Sequence, residues 1–272
     1  MIVQTALMNV MIRAADKATR RLRRDFNETE NLQVSRKGPA DFVSTADTMA
    51  ERTIREELER ARPGYGFLME ESGSRKGTDE TRRWIVDPLD GTTNFLHALP
   101  HWAISIALEE RGEIVAGLVY DPIKNELFRA EKGGGAYLND RRIRVSARRR
   151  FEEALIATGA LGGGPGSDET KALETEVAAV TAKAAGIRRW GAAALDLAYV
   201  ACGRFDAFWD RNLSPWDLAA GVIVLREAGG LVSRIDGRAF RIDSDNILAG
   251  NEEIHPALVK TLKVAKTAPD AA

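Results

Sequence analysis

The sequence predicts a mixed α/β protein built as a layered sandwich, and two observations lead to this prediction. Helical and strand patterns succeed one another along the whole chain. In addition, residues 217–228 are apolar on nearly every face, which is typical of a helix buried between two layers. At 272 residues one domain is the default. The pattern divides it into an α+β half, about residues 1–150, and an α/β half, about residues 151–272.

The composition excludes several classes of protein. The chain is 44% hydrophobic and 29% charged, with a formal net charge of -1. Neither a disordered chain nor a strongly basic nucleic-acid binder is therefore indicated. The single cysteine, Cys202, cannot form an internal disulfide, and no leader pattern or membrane-spanning stretch is present. We expect a cytoplasmic protein without a membrane partner.

The first half is predicted to combine two helices with a meander of strands. Small apolar residues recur with helical spacing over the first ~24 residues. A second helix is predicted from the segment STAD, residues 44–47, to about residue 63. Apolar or alternating runs predict antiparallel strands at residues 102–108, 113–120 and 126–130.

Strands and helices alternate in the second half. Apolar runs predict strands at residues 155–157 and 205–209, and helical patterns predict helices at residues 168–185 and 193–201. The glycine-rich segment 162–166 has no Walker lysine beside it. We expect a mobile loop there instead of a phosphate cradle.

A segment rich in carboxylates follows a predicted buried strand at residues 84–86. The segment is DPLDGTTN, residues 87–94, and it lies where open α/β sheets place their chemistry. One interpretation is a plain turn in which Asp90 caps the next helical turn. The other is a metal site, because Asp87 and Asp90 can converge on hard cations that demand oxygen ligands.

Two further acids support the second interpretation. Glu70 follows an apolar strand, and Asp217 opens the buried helix. Each segment has a plain explanation, since Glu71 or Ser72 can be a solvated loop residue and Asp217 can be a first-turn acid that interacts favourably with the helix dipole. The backbone N–H groups of Gly91 and Thr92 would open a short helix, which is a favourable place for a phosphate. The metal ions and the phosphate would then bind next to each other in one site.

The sequence resembles the inositol monophosphatase family, and most of all its bacterial branch. The resemblance covers nearly the whole chain, and its motifs occur in family order. They are DFVS at 41–44 with Asp47, EES at 70–72, WIVDPLDGTTN at 84–94, WD at 216–217 and EAGG at 227–230. The resemblance implies an αβαβα sandwich of the inositol monophosphatase and fructose-1,6-bisphosphatase type, one domain over residues 1–272, and a homodimer.

The resemblance also implies a set of magnesium ligands. Residues that match Glu70, Asp87 and the carbonyl of Leu89 hold a first magnesium ion in this family. Asp87, Asp90 and Asp217 match the ligands of a second ion. A third, weaker ion contacts the position of Glu70 largely through water. The expected cofactor is therefore Mg²⁺, with two to three ions per site.

The implied reaction is hydrolysis of inositol monophosphate to inositol and phosphate by a metal-activated water. Thr92, supported by Asp47 and Glu70, matches the group that orients this water in the family. The resemblance also implies inhibition by lithium.

Substrate contacts are implied at four positions, one of which is also a metal ligand. Asp90, Asp210 and the backbone at Gly191 and Ala193 match positions that meet the hydroxyls of the alcohol. Animal enzymes have glutamate where this chain has Asp210, and bacterial relatives commonly have serine or threonine where it has Ala192. We therefore expect the reaction type to be kept while the contacts to the alcohol differ.

Other interpretations stay open. The substrate can be another small ester, such as fructose 1,6-bisphosphate, histidinol phosphate or a 3'-phosphonucleotide. A contact with RNA or a transcription complex is an alternative from a different class, suggested by the basic stretch at residues 141–150, although such runs usually mark a solvated face. His97 and His101 lie near the proposed site, but Pro100 breaks the helix that would align them as metal ligands.

Overall fold

The computed structural model describes residues 4–28, 34–38, 41–159 and 167–267, so the predicted loop at 162–166 lies outside the described residues. A short 3₁₀ helix spans Phe151–Glu153. None of the described helices is long and apolar enough to cross a membrane. The described part contains seven α-helices, namely α1 (Ala6–Phe26), α2 (Thr45–Ala61), α3 (Thr92–Leu96), α4 (Asp168–Thr181), α5 (Ala193–Ala201), α6 (Pro215–Glu227) and α7 (Ile254–Thr267).

The described strands form three sheets. A two-stranded sheet contains β1 (Val34–Gly38) and β2 (Asp41–Ser44). The eight-stranded sheet contains β3 (Tyr65–Met69), β4 (Gly73–Arg75), β5 (Asp79–Asp90), β6 (Ala103–Glu110), β7 (Glu113–Asp121), β8 (Glu126–Glu131), β9 (Gly135–Leu138) and β10 (Arg141–Arg142). The five-stranded sheet contains β11 (Leu155–Thr158), β12 (Gly186–Arg188), β13 (Ala207–Arg211), β14 (Leu231–Ser233) and β15 (Asn246–Gly250).

Helices and the two large sheets alternate in five layers. Helices α1 and α2 cover one face of the eight-stranded sheet, over a core that includes Trp84 and Ile106. Helices α5 and α6 lie between the two large sheets. Helices α4 and α7 pack on the outer face of the five-stranded sheet, against Trp209 and Leu248. The predicted αβαβα sandwich is thereby confirmed.

The meander and the buried helix are also confirmed. Strands β6, β7 and β8 pair antiparallel in sequence order. Helix α6 is buried along residues 218–225, because it contacts the eight-stranded sheet on one side and α5 on the other. Gly117 of β7 permits this close approach, since a Cβ there would lie 2.4 Å from Ile223.

Two predicted boundaries are wrong. The strand predicted at residues 205–209 is β13, two residues later, because Asp206 is used in the turn before it. Its carboxylate accepts a hydrogen bond from the N–H of Leu155 at 2.7 Å, and its own N–H donates to the carbonyl of Leu155 at 2.8 Å. The helix predicted at 168–185 ends at Thr181, and Ala185 already donates to the carbonyl of Ala154.

Strand β5 is longer than the three residues predicted and contains an irregularity at its carboxyl end. It pairs parallel with β3 and antiparallel with β6, and its register against β6 shifts between Asp87 and Asp90. Pro88 lies within this interval and has no N–H for the ladder, which is why proline in a sheet is found at bulges or edges. The irregularity separates the two acids that the sequence analysis singled out.

Candidate active site

The acidic residues of the predicted site lie at one edge of the eight-stranded sheet. Strands β3 and β5 run parallel, so the acids that follow them meet at the same edge. Glu70 follows β3, and its N–H donates to the carbonyl of Val86 in β5 at 3.2 Å. Asp87 and Asp90 belong to the end of β5. The sheet therefore brings Glu70 to the same edge as two acids that come 17 and 20 positions later in the sequence.

Asp217 reaches the cluster from the amino-terminal end of α6. Ser214 caps this helix, and Pro215 occupies its first turn, where a proline needs no hydrogen-bond partner. The carboxylate of Asp217 accepts a hydrogen bond from the N–H of Ser214 at 2.7 Å, in a capping box. The plain interpretation of Asp217 as a first-turn acid is thus correct for its local structure, and it does not conflict with a place in the cluster.

Burial and like charges act on the acids of this cluster. Burial raises the pKa of Asp87 well above its ordinary value, and repulsion from Glu70, Asp90 and Asp217 raises it further. Burial likewise raises the pKa of Asp90, with repulsion from Asp217 as the next cause. The cluster is therefore a place where added positive charge is stabilised.

The donor chemistry of these residues fits a hard divalent cation. Carboxylate and carbonyl oxygens are the ligands that magnesium prefers, and a bound cation would relieve the repulsion that raises the pKa values of Asp87 and Asp90. Within the described ranges, no three His, Cys, Asp or Glu side chains are drawn together as in a formed metal centre. The fit is thus one of chemistry and charge, and the predicted ligand roles stay predictions.

Thr92 is held beside the cluster by Asp47. The hydroxyl of Thr92 donates to Oδ1 of Asp47 at 2.8 Å and lies 3.1 Å from the carbonyl oxygen of Leu89. Oδ2 of Asp47 accepts from the N–H and the hydroxyl of Ser44, at 2.9 and 2.6 Å. Because a hydroxyl has one proton, its donation to Asp47 leaves the oxygen of Thr92 as an acceptor.

Helix α5 forms the opposite side of the site. The N–H of Ala194 donates to Oδ2 of Asp90 at 2.8 Å, and the N–H of Ala193 also lowers the pKa of this acid. Gly91 and Gly191 have φ of +92° and +73°, and a Cβ at Gly91 would lie 3.3 Å from the carbonyl oxygen of Gly191. The backbone segments at these two glycines therefore lie in near contact.

Asp210 lies in β13 with its carboxylate buried. Burial raises its pKa to about 7, and the charge of Asp217 adds to the rise. Its Oδ1 accepts from the N–H of Arg211 at 2.7 Å. Gly159 packs directly on this carboxylate, since a Cβ there would lie 1.7 Å from Oδ2. The charge of Asp217, an acid of the cluster, therefore acts on Asp210.

Two polar residues near the site were missed by the sequence analysis. Glu51, one helical turn after Asp47 in α2, accepts hydrogen bonds from the N–H groups of Glu71 at 2.8 Å and Ser72 at 3.4 Å. Asp196 in α5 is buried, and neither of its carboxylate oxygens has a hydrogen-bond partner in the described part of the chain. The signal for Glu51 is its four-residue spacing from Asp47, and the signal for Asp196 is an acid within an apolar helix.

The two histidines near the site make different local contacts. Nδ1 of the exposed His97 lies 2.8 Å from the carbonyl oxygen of Thr93. The ring of His101 packs edge-on against Trp190, with centroids 5.1 Å apart. Burial lowers the pKa of His101 to about 4, so its ring is neutral at neutral pH. Neither histidine belongs to a group of metal-binding side chains in the described residues.

The basic stretch is partly neutralised by acids. Arg148 forms an ion pair with the buried Asp206, and Arg150 pairs with Glu152 at 2.9 Å. The stretch therefore contributes to the structure as well as to a solvated face.

Fold and site together define a layered α/β protein with an acidic centre where strand ends and a helix start meet between its two large sheets. The model of the inositol monophosphatase family matches residues 3–267. The chain belongs to this family, as the resemblance of its motifs predicted. Enzymes of this family generally depend on metal ions.

Individual relatives are similar over nearly their whole length. Inositol-1-monophosphatase of Rhizobium meliloti is 55% identical over 260 residues, covering 96% of this chain and 97% of the relative. Nus factor SuhB of Pseudomonas aeruginosa is 41% identical over 259 residues, covering 94% and 96%. The solved structure of extragenic suppressor protein suhB from Bartonella henselae is 56% identical, with a TM-score of 0.92, and covers 95% of this chain and 99% of its own.

Proposed function

We propose that this protein is a magnesium-dependent phosphatase that hydrolyses inositol monophosphate to inositol and phosphate. One observation carries the proposal. Asp87 and Asp90 are buried next to the like charges of Glu70 and Asp217, and the Thr92–Asp47 hydrogen bond lies directly beside them. Family membership and the 55% identical inositol-1-monophosphatase support the choice of substrate.

The residues that would hold magnesium are Glu70, Asp87, Asp90, Asp217 and the carbonyl of Leu89. Two to three ions are expected there from the family pattern. Bound magnesium supplies Lewis-acid stabilisation of phosphoryl charge and activates water at neutral pH. The Leu89 N–H donates to Asp87 Oδ1 at 2.8 Å, which orients this carboxylate within the irregular end of β5.

Thr92 and Asp47 would position the attacking water. Because Asp47 takes the proton of the Thr92 hydroxyl, the hydroxyl oxygen can accept a hydrogen bond from water and turn a lone pair of that water toward phosphorus. Asp47 is itself fixed by two hydrogen bonds from Ser44. Glu70 is expected to assist as an acceptor on the other side of the water.

The phosphate and the alcohol would lie between α3 and α5. The backbone N–H groups of Gly91 and Thr92 are expected to contact the phosphate. Gly191 and Ala193 would meet the alcohol through their backbone. Asp210, with a pKa of about 7, can either accept a hydrogen bond from a substrate hydroxyl or donate one to it at neutral pH.

Asp90→Asn tests the proposal. This change keeps the side-chain shape and removes one charged ligand, so we expect magnesium-dependent release of phosphate from inositol 1-phosphate to fall by about 10²–10³-fold. Asp236→Asn, in the turn that follows β14, is the matched control and should retain full activity. Retained activity in Asp90→Asn would refute the site assignment.

A contact with nucleic acid is a second candidate function. It is supported by the 41% identical relative named Nus factor SuhB. Four exposed arginines of the basic stretch have no ion pair within the described ranges, namely Arg141, Arg142, Arg144 and Arg149. A gel shift with ribosomal leader RNA should show salt-dependent binding that Arg144→Ala/Arg149→Ala weakens. Absence of binding at every salt concentration would exclude it.

A further inference from the structure

A second concave site lies at the other end of β5. A cavity of about 510 Å³ opens between the β3–β4 hairpin, the first residues of β5 and the β6–β7 turn. Its volume is within the range of about 300–1,000 Å³ that is usual for small-molecule pockets. Strand β5 has 12 residues, and each adds about 3.3 Å to its length. The four residue steps from Arg83, which lines the cavity, to Asp87 of the acidic cluster therefore span about 13 Å.

The lining of this cavity has an excess of positive charge. It contains five basic side chains and three acidic ones, whereas the whole chain has a formal net charge of -1. The basic side chains are those of Arg75, Lys76, Arg82, Arg83 and Arg111. The acidic side chains are those of Asp79, Glu80 and Glu109.

Once the ion pairs are counted, two basic groups and one acid of the lining, Glu80, have no ion pair in the described part of the chain, so an excess of one positive charge remains. Arg82 pairs with Asp79 at 3.0 Å and also with Glu110, and Arg83 pairs with Glu109. Arg75 pairs with Glu59, outside the lining, at 2.8 Å. Lys76 and Arg111, in contrast, have no carboxylate within ion-pair distance in the described part of the chain. Their charges are available to a ligand that enters the cavity.

The backbone fixes both groups at the cavity rim. Arg111 and Gly112 have φ of +51° and +81°, as in the tight turns of two-residue hairpins, and the N–H of Arg111 donates to the carbonyl of Thr81 at 2.7 Å. Gly77, next to Lys76, packs so closely that a Cβ would lie 2.2 Å from the carbonyl oxygen of Gly64. The two loops are thus held in place before any ligand binds, which lowers the entropy cost of binding.

We propose that this cavity binds a small phosphorylated molecule, with its phosphate group on Lys76 and Arg111. Guanidinium and ammonium groups are the ordinary partners of phosphate. The neighbouring Arg82 and Arg83 are neutralised by ion pairs and form part of the cavity wall. The site is separate from the acidic cluster and does not depend on catalysis there.

Titration with inorganic phosphate tests this site. The full chain is studied in EDTA, because without divalent cations the acidic cluster repels phosphate. The readout is the NMR shift of the amides of Gly77 and Gly112. The test variant is Lys76→Gln/Arg111→Gln, and Arg20→Gln/Lys260→Gln is a control that removes the same charge from exposed positions of α1 and α7.

We expect saturable shifts with a dissociation constant in the millimolar range. This constant should rise at least fivefold in Lys76→Gln/Arg111→Gln and stay unchanged in the control. Magnesium-dependent phosphatase activity should be unchanged in both variants, since neither touches the acidic cluster. No saturable shift in the wild-type chain, or equal phosphate affinity in all three proteins, would overturn the proposal.

Discussion

Thr92 has one hydroxyl proton, and the geometry directs it to Asp47 at 2.8 Å. Thr92→Ala should therefore lower kcat by about 10²-fold, because the attacking water loses the oxygen that orients it. Thr92→Ser keeps the hydroxyl and should retain most of the activity. Steady-state kinetics with inositol 1-phosphate measure both variants. Equal kcat values for the alanine and serine variants would contradict this role.

Asp196 is a buried acid whose protonation affects stability. Burial raises its pKa well above the ordinary value, and the charges of Asp90 and Asp210 add to the rise. In the unfolded chain its carboxyl loses the proton near pH 4, whereas in the folded chain it keeps the proton to higher pH. The folded state then binds more protons than the unfolded state, so this residue lowers stability as pH rises from about 4 to its folded pKa.

Asp196→Asn removes the contribution of this carboxyl group to the pH dependence of the free energy of unfolding. The free energy of unfolding should fall less steeply with increasing pH in the variant than in the wild-type chain, whatever constant difference the substitution adds. Urea unfolding in EDTA between about pH 5 and pH 8 measures both slopes. Parallel curves would mean that Asp196 is ionised in the folded protein.

At the scale of elements, α2 supports two parts of the site. Asp47 holds Thr92, and Glu51, one turn later, holds the loop that follows Glu70. Glu51→Ala leaves the N–H groups of that loop without their acceptor. We expect the apparent affinity for magnesium to fall by about 10–100-fold, as when partners of metal ligands are removed.

Glu51→Gln is the matched control, because its amide oxygen still accepts a hydrogen bond. Its magnesium affinity should stay within a few-fold of the wild-type value. The dependence of phosphatase rate on magnesium concentration measures both variants. A loss of kcat with unchanged magnesium dependence in Glu51→Ala would contradict this positioning role.

The elements also indicate what a sequence can and cannot predict. A layered α/β sandwich and a group of acids at 70, 87, 90 and 217 were predicted, because motif spacing and apolar periodicity are local signals, and the αβαβα order was implied by the family resemblance. The irregular end of β5 was not predicted, since it depends on the pairing of β5 with β6. The sequence also did not predict that position 159 requires glycine, because this requirement arises from packing against Asp210 in a distant strand.

Glu51 and Asp196 illustrate the same limit. A glutamate in an amphipathic helix ordinarily marks a solvated face, and only the fold reveals that Glu51 faces the loop after β3. Asp196 lies within a helix that is otherwise apolar. This position indicates a buried acid, but it does not identify the residues around that acid.

At the scale of the whole molecule, the acidic cluster should couple folding to magnesium. Repulsion among buried acids destabilises the folded chain, and cations that bind only the folded state stabilise it. The gain is about 2.7 kcal/mol at a concentration 100 times the dissociation constant. Urea unfolding with magnesium and with EDTA measures this difference. Asp217→Asn should reduce it, and an undiminished gain in that variant would place magnesium elsewhere.

The central claim is magnesium-dependent hydrolysis of inositol monophosphate, and phosphate release from inositol 1-phosphate with and without magnesium tests it most directly. Fructose 1,6-bisphosphate, histidinol phosphate and adenosine 3',5'-bisphosphate serve as comparison substrates. We predict strong release from inositol 1-phosphate only when magnesium is present, and weaker release from the other esters. Absence of release from every ester in the presence of magnesium would contradict the claim.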